Sequence, residues 1–121
     1  MAKFIPDTII DGQLDVIVSG ATTIHLLTDQ PTTFAGIAAL EVANGTLTGA
    51  ITKANGDTSG RKATIPAQSG LAIDANGDAD HVAISNGTDT LYGVTTNPLQ
   101  GLVSGGTVDI ASFDFEILDP A

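Results

Sequence analysis

The sequence predicts a mainly β protein, an antiparallel β-sandwich or open barrel with one or two short helices near the N-terminus. Three observations lead there. Short β-like runs recur from Ser59 to Thr95, SGRKATIPAQSGLAIDANGDADHVAISNGTDTLYGVT. They are punctuated by Ala75-Asn76-Gly77-Asp78 and Asn86-Gly87, turn chemistry of the kind that connects antiparallel strands. Fourteen Gly and sixteen Thr, against few Lys, Glu or Arg, favour strands and turns over long surface helices. At 121 residues the chain reads as a single domain over 1–121, with a helix or arm in 1–20 and a β core from about 22 to 118. It carries no internal repeat and no linker.

Taken in order, Asp7 to Ser19 has the spacing of a short amphipathic helix. Ile9, Ile10, Leu14, Ile17 and Val18 recur at helical intervals, and Asp11 and Asp15 fall on the other face. Asp7 after Pro6 suits an N-cap and Gly20 a stop, whereas Gly12 weakens the helix by roughly 1 kcal/mol relative to Ala. Thr22 to Thr28 reads as a strand with apolar residues on both faces, hence covered on both sides. Asp29-Gln30-Pro31 breaks it, and Thr32 or Thr33 caps a short helix through Phe34, Ile37 and Ala38.

The run that follows has two readings. Leu40, Val42, Leu47, Gly49 and Ile51 fit two strand pieces joined by an Asn44-Gly45 hairpin turn. Alternatively, a helix reaches Ala43 and Asn44-Gly45 caps its end. We favour a short helix and then a strand from about Thr46. Lys53 to Gly60 is the most loop-like segment. Strands are expected at Arg61–Ile65, Gly70–Asp74, His81–Ser85 and Thr90–Thr95, with a bulge at Gly93 and an end at Asn97-Pro98. Between Thr107 and Leu118 the apolar parity switches from Val108 and Ile110 to Phe113, Phe115 and Ile117. A bulge or bend near Ala111-Ser112 follows.

Composition narrows the function classes. The net charge is −10 and only four residues are Lys or Arg, so a phosphate-binding surface is not available and an anionic membrane would repel the chain. The acidity serves solubility, or attraction to a basic partner surface or to divalent cations. With no Cys there is neither a disulfide framework nor a thiolate. The start, Met-Ala-Lys-Phe-Ile-Pro-Asp, lacks the apolar core of a signal peptide, and no apolar run approaches a membrane span. Synthesis and solubility in the cytoplasm, or assembly from there into something larger, is the expectation.

Few residues suggest chemistry. Asp74, Asn76, Asp78 and Asp80 alternate as in the start of a calcium loop, and so are candidate metal ligands. However, Ala79 stands where an EF-hand needs Gly, Ser85 stands where it needs Glu, and no helices flank the run. A hairpin turn with Asx side chains bonding their own backbone is the preferred reading. His25 and His81 would need to converge with a carboxylate to hold a metal, and read better as ordinary strand histidines. None of the six Ser sits in a nucleophile elbow, so no catalytic residue is assigned and no cofactor is expected. Asn44-Gly-Thr46 and Asn86-Gly-Thr88 match a glycosylation pattern but read as turns. Walker-type loops are absent, and five aromatic residues give no stacking platform. Lys53, Arg61 and Lys62 place three of the four cations within ten positions. They are either a solvated loop and edge strand or a docking contact to acidic groups on a partner.

Several stretches resemble a family of small tailed-phage virion proteins. They are SGRKATIPAQSG, DADHVAISNGTDTLYGVTT and GGTVDIASFDFEILDP, with an upstream Gln30-Pro31-Thr32-Thr33 element. Members share a Ser-Gly-Arg-Lys run into a strand, an Asp/Gly turn before His-Val-Ala, and a Leu-Tyr run before paired Thr. They close with an aromatic-Asp-x-Glu-Ile-x-Asp-Pro tail. The likeness covers about Thr28 to Pro120, and its motifs are structural; Gly93 is an insertion relative to the pattern.

This resemblance implies a non-enzymatic virion component, a decoration (cement) protein on the outside of the capsid. Its partners would be the major capsid protein and copies of itself, as a trimer at local threefold positions. It carries no site map. Other readings are a tail or baseplate component, or an adhesin-like module binding host glycans through its acidic turns.

Overall fold

A computed structural model describes residues 5–118. The chain is mainly β, with two open antiparallel sheets and two short helices. Neither sheet closes into a barrel. The backbone gathers into two compact units, each assembled from separate stretches of sequence. Of the described residues, the first comprises 5–20, 49–67 and 111–118, and the second 21–48 and 68–110.

The first unit pairs helix α1 (Asp7–Gly20) with a three-stranded sheet of β3 (Thr52–Asn55), β4 (Arg61–Ile65) and β9 (Phe113–Ile117), in the order β3-β4-β9. Ile10 and Leu14 of α1 are buried, as are Ala63 and Ile65 of β4. Ile9 does not join them: it is 58% exposed, as is Val16 at 57%, so the buried stripe is narrower than the spacing predicts. Asp7 lies within the first turn of the helix, where a carboxylate complements the dipole; it does not precede that turn as a cap. The carbonyl of Pro6 accepts the amide of Ile9 at 3.0 Å. On β9, Phe113 and Phe115 meet edge to face at 5.7 Å. β3 overlaps the start of the Lys53–Gly60 segment read as loop. Its residues lack apolar anchors, and pairing with β4 (Lys53 to Ala63, Asn55 to Arg61) supplies what local propensity does not. The closing Asp119-Pro120 of the tail motif lies outside the described residues.

The second unit is a six-stranded sheet. Its strands are β1 (Thr23–Leu27), β2 (Glu41–Thr46), β5 (Gln68–Ile73), β6 (Gly77–Ser85), β7 (Leu91–Leu102) and β8 (Thr107–Ile110). They lie in the order β7-β6-β1-β2-β5-β8. Between β1 and β2 run a 3₁₀ turn, Phe34–Gly36, and helix α2 (Ile37–Leu40). Thr33 Oγ1 accepts the amide of Gly36, a cap of the kind its sequence position suggests.

Four expectations need correction here. Asn44-Gly45 is neither a hairpin turn nor a helix cap: it sits within β2, opposite His25 and Ile24. A Cβ on Gly45 would collide with the Leu71 side chain, so glycine serves close packing at this position. The strand expected from about Thr46 is accordingly displaced, with β2 ending there and β3 starting at Thr52. The Ala75-Asn76-Gly77-Asp78 turn does not close a hairpin, because β5 and β6 are separated in the sheet by β1 and β2. Finally, β7 continues past Asn97-Pro98 to Leu102. The register against β6 slips between Ala79 and His81, where two extra residues bulge out of β7. β7 is an edge strand, so the missing N–H of Pro98 costs the ladder little. A second slip, at Leu91–Gly93 against Ser85–Ile84, is the bulge expected beside Gly93.

Candidate functional site

The most structured polar group in the second unit is built by β1, β2 and β6. His25 on β1 lies opposite Asn44 on β2 and Ala83 on β6. Leu27, two residues on and therefore on the same face, lies opposite Glu41 and His81. Glu41 and Asn44 are three apart and in a regular strand would face opposite ways. The bulge at Val42, where the β1–β2 register shifts, brings both onto the face of His25.

The side chains then form a chain of hydrogen bonds. His25 Nδ1 lies 2.5 Å from Glu41 Oε1, and Nε2 lies 2.8 Å from Ser85 Oγ. Ser85 Oγ also accepts the amide of Gly87 at 3.0 Å. Ser85 is fully buried, so its proton requires an acceptor, and His25 Nε2 is the one within reach. That places a lone pair on Nε2 and a proton on Nδ1, which donates to Glu41.

Hydroxyl, imidazole and carboxylate in this order are the parts of a hydrolase triad. The sequence reading missed the set because its members lie 16 and 60 positions apart. The available signal was Glu41, one of only two Glu in the chain, standing among apolar neighbours. As a nucleophile Ser85 is badly placed: it has no exposed surface, and its oxygen already accepts a backbone bond. Solvent reaches the carboxylate more than the imidazole: the two side chains are 19% and 8% exposed. They line a cleft of about 360 Å³ together with Thr23, Phe34, Ala35, Ile37, Ala38, Asn44 and Gly87. Leu27, Ile37 and Ala83 form a small core beneath it, with Phe34 packed against them.

The residues singled out from sequence are placed as follows. Asp74 Oδ2 accepts from Asn44 Nδ2 at 3.1 Å, and Asn76 Oδ1 accepts the amide of Ser104 at 2.8 Å. Asp78 and Asp80 lie two apart on β6, and Asp80 Oδ1 is 2.6 Å from His81 Nδ1. The two histidines thus bond separate carboxylates. Among the described residues, no group of three or more His, Cys, Asp or Glu is arranged to hold a metal ion.

Lys53, Arg61 and Lys62 are all paired within the first unit. Lys53 Nζ meets Asp15 of α1; Arg61 bonds Asp11 through Nε at 2.8 Å and Nη2 at 3.4 Å; Lys62 Nζ lies 2.8 Å from Asp57 and 3.3 Å from Asp114. These bonds raise the proton affinity of Arg61, chiefly through Asp11, and of Lys62, chiefly through Asp57 and then Asp114. Asp11 and Asp15, read as falling on the face away from the apolar stripe, are therefore contacts of the helix to β3 and β4. No described helix is long and apolar enough to cross a membrane. Comparison with protein-family models, with curated proteins and with solved structures finds no match to this chain.

Proposed function

We propose that this protein is a non-enzymatic structural component of a tailed-phage virion, which decorates and stabilises the outside of the capsid through contacts to the major capsid protein. The observation that carries the reading is the disposition of charge. Each described cation is tied to a carboxylate of its own unit, and Asp29, Asp74, Asp78, Asp89 and Asp109 are exposed. An outer field of that sign steers the protein to a basic partner surface and away from nucleic acid. The family resemblance from Thr28 to Pro120 supplies the class of partner, and copies of the chain would assemble as a trimer on it. A mostly β framework suits such a role.

Cryo-electron microscopy of particles carrying the protein is the test. Density at regular positions over the shell is the expected result. Density confined to the tail or baseplate would overturn the capsid reading, and binding of the isolated protein to host glycans but not to heads would favour an adhesin.

A further inference from the structure

We infer that the cleft between α2 and the β1–β2 face is a receptor for an arginine side chain presented by the partner. This deepens the reading above by giving the chemistry of the contact, and rests on it only for where the arginine comes from. The cleft has two kinds of wall. Phe34, Ala35, Ile37 and Ala38 offer apolar surface, whereas Glu41 and Asn44 offer acceptors. Glu41 uses Oε1 on His25, and the remaining carboxylate oxygen is open to a second donor. Its side chain is 19% exposed, so solvent reaches the group but only partly satisfies it. Asn44 commits its amide nitrogen to Asp74, which leaves Oδ1 as an acceptor.

A ligand that matches carries an apolar stem and a head with several donors and a positive charge. An arginine side chain has that form: three methylenes against the alanines and Ile37, and a planar fork of N–H donors reaching two acceptors at once. The Phe34 ring adds a surface on which a guanidinium stacks. A lysine ammonium serves one acceptor well but lacks the fork. At about 360 Å³ the cleft is near the lower limit for small-molecule sites, about 300 Å³, and suits a single side chain. The net charge of −10 adds long-range attraction for any such cation.

The probe is Nα-acetyl-arginine methylamide, titrated into the full-length protein to tens of millimolar. Backbone amide NMR shifts report binding, with the lysine and glutamine analogues for comparison. Saturable shifts at Ala35, Ala38, Glu41, Asn44 and Gly87 are expected, strongest for arginine, absent for glutamine and weakened by salt. Glu41→Gln should abolish them, and Asp29→Asn, which alters an exposed carboxylate outside the cleft, should leave them intact. Because Glu41 also holds His25, Ala38→Leu serves as an independent block: it fills the cleft without touching that bond and should abolish the shifts too. Shifts scattered over the acidic surface, or unchanged in Ala38→Leu, overturn the inference while capsid binding stands. Specific arginine shifts in a protein that fails to bind capsids support the cleft and overturn its assignment to the virion surface.

Discussion

Ser85→Ala offers a quantitative test of the buried hydrogen-bond chain. The substitution strands two groups, the amide of Gly87 and Nε2 of His25. Gly87 lies at an exposed turn, where water replaces the lost acceptor. His25 is only 6% exposed, and its nitrogen has no such recourse. An unsatisfied buried acceptor costs about 1–3 kcal/mol, and a methyl in place of a hydroxyl leaves little cavity, so a loss of about 2 kcal/mol is expected. With a urea slope of about 1–3 kcal/mol per molar, the unfolding midpoint should fall by about 1 M. Ser69→Ala, exposed on β5, is the control and should stay within about 0.5 kcal/mol of the parent. Combined with His25→Phe, the loss should be less than additive by about 1 kcal/mol, since both remove one bond. Imidazole nitrogen shifts should identify the Nδ1–H tautomer in the parent protein. A Ser85→Ala protein no less stable than Ser69→Ala, or a tautomer with the proton on Nε2, would refute the reasoning.

Three further outcomes are expected. Gly87 has φ +76°, and an added Cβ would lie 2.7 Å from Thr23 Oγ1, so Gly87→Ala should destabilise by about 1–2 kcal/mol or more from backbone strain and contact together. The same change in a Thr23→Ala background should cost less by urea denaturation. Arg61→Glu sets a carboxylate against Asp11, so hydrogen-exchange protection of α1 amides should drop sharply; unchanged protection would show that these ion pairs do not hold the helix. This variant therefore tests the first unit and would be a poor probe of capsid docking. Asp89 is held below its ordinary value of 3.8 by the Asn86 amide and then the Thr90 hydroxyl. It should stabilise the β6–β7 turn above that pH and lose its contribution as pH falls through the lower folded-state value. The stability difference between parent and Asp89→Asn should be flat near neutrality and should fade in strong acid.

Local chemistry alone determined much of this protein. The 3.6-residue spacing of Ile10 and Leu14, the Thr33 cap, the Asn86-Gly87 turn and the bulge beside Gly93 were all legible, because each depends on contacts within a few residues. The parity switch after Ile110 was legible as well, but its meaning was not. Ala111-Ser112 is where the chain leaves the six-stranded sheet and enters the three-stranded one. Only the tertiary structure decided matters of pairing. Asn44-Gly45 has the signature of a turn, yet β1 on one side and the Leu71 side chain over Gly45 hold it in a strand. The charges followed the same pattern: three clustered cations looked outward in sequence, and each found its carboxylate from 5 to 52 positions away. His25, Glu41 and Ser85 carried no motif because a strand register and one bulge, not chain proximity, bring them together. Strand order and register are set by burial summed over the whole sheet, and that sum exists only once the chain has folded.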